Sequence, residues 1–205
     1  MDIRDELKKH FEKFPGIGPR QANRFVYALL AKDQKFQKRL ASLINSLGNE
    51  IRTCTTCMRF FPKKGNHEQC VICTNEERSP ETLLVVERDV DLENIERAGR
   101  FRGRYFVIGG TLPLLIKNHT PEIRSNELAA HVQKQGEKGI LKEIILALSA
   151  TPQGEHTAVA LREILNPIAD RYHVKITELG RGISTGTELE YADQDTITYA
   201  LENRI

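Results

Sequence analysis

The chain has 205 residues, of which 40% are apolar and 28% charged, and its formal net charge is +2. This is the composition of an ordinary globular protein, and no apolar run approaches the roughly 20 residues of a helical membrane span. The first stretch, MDIRDELKKHFEKF, is amphipathic and of mixed charge rather than a secretory signal, so we expect a cytoplasmic protein that does not enter the membrane.

The first third of the chain is predicted to be helical and basic. Apolar residues recur at helical spacing over residues 2–13, 19–31 and 34–50. Residues 1–64 contain 14 Lys/Arg and 6 Asp/Glu, a net charge of +8, whereas the remainder carries −6. This asymmetry favours an anionic partner for the first part, although a solvated helical surface would show the same charge.

A glycine-rich turn, FPGIGPRQANRF, joins the first two predicted helices. Gly16 and Gly18 allow a partner close to the backbone, and the amides at the start of the second helix favour a phosphate. Arg20 and Arg24 are four residues apart, so they share a helical face and can reach neighbouring phosphates. The pattern predicts sequence-independent binding to the backbone of single- or double-stranded DNA. A tight turn that only joins two packed helices, or an oligomer contact, is the alternative.

All four cysteines follow this helical region, in the pattern C-x2-C-x12-C-x2-C formed by Cys54, Cys57, Cys70 and Cys73. Two close thiol pairs separated by a short loop are typical of one tetrahedral Zn²⁺. Four protein ligands leave no open position, so the predicted zinc is structural. Two disulfides or four free thiols are the alternatives, and disulfides suit a chain without a secretion signal poorly. His67, three residues before Cys70, is an alternative ligand.

The remainder of the chain alternates between apolar strands and amphipathic helices, which predicts an α/β fold with a largely parallel sheet. Continuous apolar runs indicate strands that are buried on both faces. The glycine-containing stretch GRGISTG lacks the Gly-Lys-Ser/Thr of a P-loop and is predicted to lead into a C-terminal helix. The predicted strands are 83–86, 104–110, 143–149 and 174–179, and the predicted helices are 89–99, 124–136 and 156–171.

Two carboxylates follow strands of this predicted sheet. Glu87 ends the first strand and Glu155 comes just after the third, so both are expected at the carboxyl edge, where α/β folds place sites. Ordinary polar residues at strand ends would look the same. The arrangement resembles a Toprim domain, in which a glutamate and a later Asp-x-Asp hold Mg²⁺. Here that motif reads Ser149-Ala150-Thr151, so the resemblance implies a binding platform rather than an enzyme.

The order of these parts is similar to that of the bacterial recombination mediator family RecR. The hairpin resembles a helix-hairpin-helix DNA-binding motif with Phe14 in place of the usual leucine, and the sequence RGISTGTELEYAD resembles the end of the family's pattern. The resemblance implies four regions. They are a helix-hairpin-helix module (1–52), a C4 zinc finger (53–76), a Toprim domain (77–173) and a C-terminal strand-loop-helix segment (174–205).

The resemblance also implies a non-enzymatic, nucleoid-associated DNA-repair protein. Members work with RecO, and with RecF in many bacteria, to load RecA onto gapped single-stranded DNA, and they form dimers or tetrameric rings. The resemblance assigns DNA contact to Arg20 and Arg24. It assigns Glu87 and Glu155 to the edge of the Toprim domain where members of the family bind their partners. The alternatives are a Mg²⁺-dependent Toprim nuclease or primase-like enzyme, and a structural zinc protein that binds no nucleic acid.

Overall fold

The structure, a computed structural model, describes residues 2–114, 123–180, 182–183, 185–186 and 188–202. The chain separates into two compact units, Met1–Arg52 and Thr53–Ile205. The first unit is helical and the second contains a parallel sheet, so the predicted α/β fold class is confirmed. None of the helices in the described part of the chain combines the length and apolar character that a membrane span requires.

Three helices form the first unit. Asp2 begins the first, since its carboxylate accepts a hydrogen bond from the Arg4 amide at 3.1 Å, and Asp33 begins the third by accepting from the Phe36 amide at 2.7 Å. Such side-chain caps satisfy amides that have no partner within the helix. The helices are α1 (Ile3–Phe11), α2 (Pro19–Leu30) and α3 (Gln34–Glu50).

The second unit begins with the cysteine-bearing segment and continues into four parallel strands, whose spatial order is β4-β3-β5-β6. The elements of the segment are β1 (Ile51–Thr53), β2 (Phe60–Pro62) and α4 (Val71–Thr74). The sheet strands are β3 (Thr82–Val86), β4 (Arg104–Val107), β5 (Glu143–Ala147) and β6 (Lys175–Glu178). The remaining elements are α5 (Asp89–Ala98), α6 (Ser125–Glu137), α7 (Pro152–Tyr172), a 3-10 turn (Leu189–Tyr191) and α8 (Gln194–Glu202).

Both faces of the sheet are covered, which explains the continuous apolar runs of its strands. Leu83 and Val85 of β3 belong to a buried cluster that includes residues of α6 and α7. The alternate residues Leu84 and Val86 lie in a second cluster, together with Leu92 of α5 and the buried cysteines. The cysteine segment therefore shares a core with one face of the sheet.

A partly buried cluster of hydrogen-bonded polar side chains connects α5 to β4. Arg78 donates to the Glu96 carboxylate and to the carbonyl oxygen of Gly103, and the Tyr105 hydroxyl donates to Glu96 Oε1 at 2.6 Å. Burial, followed by the hydrogen bond to Glu96, raises the pKa of Tyr105. The charged and polar groups brought into this interior are thus paired, as burial requires.

Helix α7 begins four residues earlier than the predicted helix 156–171. Thr151 is its N-cap, since the Thr151 hydroxyl accepts from the Gly154 amide at 3.2 Å, and Pro152 occupies the first helical position. A Thr-Pro pair is a start signal for a helix, and apolar periodicity alone does not reveal it. Glu155 therefore lies in the first turn of a helix rather than in a loop.

The glycine-containing connection after β6 is described only in part. Residues 181, 184 and 187 lie outside the described residues, and so do residues 203–205 at the end of the predicted C-terminal helix. Helix α8 (Gln194–Glu202) is the described part of the predicted C-terminal helix, so the helix expected after the glycine-containing stretch is present.

Candidate nucleic-acid interface and metal centre

The turn between α1 and α2 leaves the start of α2 uncapped by any side chain. Gly16 adopts the left-handed conformation, with φ +76°, and the Ile17 amide donates to the Phe14 carbonyl at 3.1 Å. A Cβ added at Gly16 or Gly18 would meet no atom within 4 Å, so the space beside both glycines is open. The first-turn amides of α2 can thus serve an external acceptor such as a phosphate oxygen.

Arg20 and Arg24 lie on the outer face of α2. Ala22 and Val26 of the same helix are buried, and the helical spacing turns both arginines away from that buried face. Both arginines are exposed, and Arg24 Nη1 donates to Gln21 Oε1 at 3.3 Å. The sequence of α2 contains no Asp or Glu, so the helix itself adds two positive charges and no negative charge to this face. The structure thus places Gly16, Gly18 and the two arginines at one end and one face of α2.

A different face of the first unit is apolar. Phe14, Phe25 and Phe36 remain 59%, 37% and 46% exposed and line a cavity of about 540 Å³. The rings of Phe11 and Phe25 pack edge to face, with centroids 5.6 Å apart. An exposed apolar surface of this kind is typical of an interaction site.

The four cysteines come together as one cluster. Their Sγ atoms all lie within 4.8 Å of one another, with Cys57–Cys70 at 3.6 Å and Cys54–Cys73 at 3.8 Å. A regular ZnS₄ tetrahedron with bonds of about 2.3 Å has edges of about 3.8 Å, so the sulfurs fit a tetrahedral metal ion. The separations are far longer than the roughly 2.05 Å of a disulfide bond. His67 is exposed and does not belong to the cluster.

Burial and sulfur crowding make this cluster a closed site. Cys54, Cys57 and Cys70 are at most 1% exposed, and Cys73 is half-buried. Hydrogen bonding between the sulfurs, that of Cys57 first, lowers the pKa of Cys54, whereas hydrogen bonding with Cys54 raises the pKa values of Cys57 and Cys73. The thiols therefore compete for negative charge, and a cation bound among them would remove that competition.

The cysteine segment is held along β4, which is an edge strand of the sheet. The Val107 amide donates to the Cys57 carbonyl at 2.8 Å. Arg124 donates to the carbonyls of Met58 and Val107, at 3.3 and 3.1 Å. Arg104 donates to the carbonyls of Ile72 and Asn75. The segment thus covers a sheet edge that would otherwise expose unpaired backbone groups.

The carboxyl ends of β3 and β5 form the switch point of the sheet, because the helical connections leave β3 towards β4 and later return to β5 on its other side. Glu87 lies at this point and is only 4% exposed. Its Oε1 accepts from the Ser149 amide at 2.7 Å, and its Oε2 is 3.9 Å from Arg88 Nη2. The Glu87 carboxylate therefore joins the loops that follow β3 and β5.

The two hydroxyl residues in the Asp-x-Asp position also have local roles. The Ser149 amide donates to Glu87, and Thr151 caps α7 through the Gly154 amide. A Cβ at Gly154 would lie 2.0 Å from the Ser149 carbonyl oxygen, so this close approach requires glycine. Among the described residues, only the four cysteines form a group of three or more His, Cys, Asp or Glu side chains whose ligand atoms lie within 4.8 Å of one another.

Glu155, unlike Glu87, is exposed. It lines a cavity of about 580 Å³ with Asp193, Asp195 and Tyr199, which come from the C-terminal segment. The structure therefore places Glu87 inside the edge and Glu155 on its surface. No local pattern indicates that the C-terminal acidic residues lie beside Glu155, because this arrangement depends on how the last helix packs.

Two arginines that hold the cysteine segment were not predicted from the sequence. Arg104 begins a strand and Arg124 precedes α6, and neither stands in a pattern that indicates a long-range contact. Their role becomes visible only when their carbonyl partners, which come from the segment up to 66 residues earlier, are brought to β4.

Three family models match the chain. The model described as "RecR, helix-hairpin-helix" matches residues 4–47, "Toprim domain" matches residues 81–179, and "RecR, C-terminal" matches residues 182–205. The first region covers nearly all of α1, all of α2 and most of α3, the second contains the parallel sheet, and the third contains α8.

Curated relatives match over nearly the whole chain. A "Recombination protein RecR" of Acidothermus cellulolyticus is 36% identical over 100% of this chain and 94% of its own length. One of Cereibacter sphaeroides is 38% identical over 98% of this chain and 94% of its own, and one of Streptomyces coelicolor is 34% identical over 100% and 94%. With this identity over the full length, the chain belongs to the RecR family.

Proposed function

We propose that this protein is a non-enzymatic, DNA-binding recombination mediator in DNA repair. It acts with RecO, and with RecF where that partner is present, to promote loading of RecA onto gapped single-stranded DNA. The observation that carries the proposal is full-length similarity to proteins named as recombination proteins, combined with the cationic outer face of α2. Binding to DNA would associate the protein with the nucleoid.

DNA contact is assigned to the turn and the first half of α2. Gly16 and Gly18 leave room for a phosphate beside the uncapped amides, and Arg20 and Arg24 extend the positive charge along the helix. Contacts of this type are made to phosphates and not to base edges, so the interface is proposed to be independent of sequence. Single and double strands both carry the required charge.

One structural Zn²⁺ is assigned to Cys54, Cys57, Cys70 and Cys73. The sulfur separations of 3.6 and 3.8 Å and the burial of three ligands support a closed site. Thiolate ligands favour zinc among the divalent ions that prefer tetrahedral geometry, and four of them leave no position for substrate. The ion would hold the segment in the shape that covers β4.

The Toprim edge is assigned to partner binding. Glu87 supports the edge from within, through the Ser149 amide, and the exposed Glu155 presents charge at its surface. Asp193 and Asp195 extend this acidic surface, which suits a basic patch on a partner such as RecO or RecF. With Ser149 and Thr151 in place of the two aspartates, the edge is proposed not to support Mg²⁺ chemistry.

We also propose that the chain is divided into four regions, at residues 1–52, 53–76, 77–173 and 174–205.

We propose that the protein assembles into a dimer or a tetrameric ring. Light scattering should give a mass two or four times the 23.3 kDa of one chain, and a further rise when single-stranded DNA is added. The apolar surface around Phe14, Phe25 and Phe36 supports assembly. A monomer that gains no mass with DNA would contradict both the assembly and the DNA-binding proposal.

The rival function is a Mg²⁺-dependent nuclease or primase-like enzyme that uses Glu87 and Glu155. Incubation with plasmid, single strands, nucleotides and Mg²⁺ should produce neither cleavage nor synthesis, because Ser149 and Thr151 replace the two aspartates that would hold the ion. Glu155→Gln serves as the matched variant, since this side chain is exposed and its replacement should leave the fold intact. Turnover that disappears in Glu155→Gln would establish the enzyme instead.

A further inference from the structure

Tyr27 lies on the same outer face of α2 as Arg20 and Arg24. Its side chain is 55% exposed, and it follows the arginines by seven and three residues, which places it within about 60° of both around the helix. Along the helix axis, Tyr27 follows Arg24 by about 4.5 Å and Arg20 by about 10 Å. An aromatic ring is thus placed in line with two cations on a helix that has no acidic residue.

The other aromatic residues of the first unit are on another surface. Phe11, Phe14, Phe25 and Phe36 all line the apolar cavity, whereas Tyr27 does not. The apolar surface therefore accounts for the four phenylalanines and leaves the exposure of Tyr27 unexplained. A single exposed aromatic residue is common on protein surfaces, but here it lies beside two exposed arginines to which DNA contact is assigned.

We propose that Tyr27 stacks on an unpaired base and gives this face a preference for single-stranded DNA. The inference rests on the proposed contact of Arg20 and Arg24 with phosphates. A strand held there by its backbone can turn a base onto the neighbouring ring, because every unpaired base has an open π face. In a duplex the bases are stacked on one another, so the ring finds no equivalent surface. The arginines supply affinity for both forms, and Tyr27 discriminates between them.

The absence of tryptophan from the sequence provides a direct test. Tyr27→Trp in the full chain introduces a single indole on the α2 face, and Tyr191→Trp introduces one at a site 75% exposed in the second unit. Oligo-dT should quench the emission of Tyr27→Trp, and an abasic strand of equal length should not. Quenching of equal size by both strands, or no quenching while binding is seen by anisotropy, would overturn the stacking role.

Affinity measurements complete the test. Tyr27→Phe should bind oligo-dT as the wild type does, whereas Tyr27→Leu should bind it about 5- to 10-fold more weakly, since leucine offers apolar area without a π face. Affinity for a duplex and for the abasic strand should be unchanged in both variants. An equal loss on duplex and single strand would make Tyr27 a general contact and contradict the inference.

These outcomes separate the inference from the proposed function. If wild-type protein binds both DNA forms and loses both in Arg20→Ala with Arg24→Ala, the phosphate site stands even when Tyr27→Leu has no effect. If the wild type binds neither form, the proposed function fails, and the inference fails with it. Unchanged helical circular dichroism in each variant excludes unfolding as the cause of a loss.

Discussion

Replacing both Arg20 and Arg24 with alanine should weaken DNA binding by roughly 10- to 100-fold, because in the proposed interface each arginine makes a charge-assisted hydrogen bond to a phosphate. Both side chains are exposed and point away from the buried Ala22 and Val26, so the fold should not be affected. Fluorescence anisotropy over a range of salt concentrations measures the effect. On single strands the slope of log affinity against log salt should become shallower by about 1.4, since each lost phosphate contact accounts for about 0.7.

The chain offers a matched control on α3. Lys35 and Arg39 are also exposed and four residues apart, so their replacement with alanine removes the same charge with the same spacing. This variant should retain most of the affinity and of the salt slope. An equal loss in the control would indicate diffuse attraction to a basic surface instead of a defined site. An unchanged affinity in the arginine variant would remove the outer face of α2 from the interface.

The features that the sequence predicted correctly are those encoded over short distances. The continuous apolar run from Leu83 to Val86 indicates a strand buried on both faces, and the structure places its alternate residues in two clusters. The cysteine spacing likewise identifies a site whose ligands come from two short turns. The glycines and proline around Gly18 mark the boundary between α1 and α2 because they act on the local backbone.

The features that the sequence did not predict depend on packing between distant segments. Nothing around Arg124 indicates that it reaches the Met58 carbonyl, and nothing around Glu155 indicates that Asp193 lies nearby. The burial of Glu87 was also unforeseen, since a glutamate at a strand end is usually solvated. Its hydrogen-bond partner is the backbone amide of Ser149, which follows the neighbouring strand. Nearly every residue has a backbone amide, so the sequence does not indicate which one Glu87 contacts.

Glu87 also contributes to the shape of the sheet edge at the switch point. Its Oε1 accepts from the Ser149 amide, which fixes the loop after β5 against the loop after β3. Thr151 then starts α7, and Gly154 allows the helix to approach the Ser149 carbonyl. The residues at the switch point thus satisfy one another's hydrogen bonds. This gives the edge a fixed shape, which would favour the partner binding proposed for it because less order has to be gained on association.

Loss of the metal ion should affect the sheet as well as the cysteine segment. Cys57→Ala should abolish binding of one Zn²⁺ per chain and lower the midpoint of thermal unfolding by about 10 °C or more. Structural zinc contributes about 10–16 kcal/mol to the folding of small peptides, and each kcal/mol shifts the unfolding midpoint of a domain of this size by about 2–4 °C. Losing about a third of that zinc-binding free energy would therefore account for a fall of about 10 °C. Metal analysis and circular dichroism measure the two effects. Thr55→Ala, an exposed change in the same segment, should alter neither.

The location of the damage distinguishes a shared core from an independent zinc module. Cys57 packs in the cluster that contains Tyr105 and Val107, and its carbonyl accepts from the Val107 amide. Hydrogen exchange in Cys57→Ala should therefore become faster along β4, whereas the amides of α2 in the separate first unit should keep their wild-type rates. Faster exchange confined to residues 54–75, with β4 still protected, would mean that the sheet edge is stable without the metal-bound segment. Full protection and full metal content in Cys57→Ala would contradict the four-cysteine site itself.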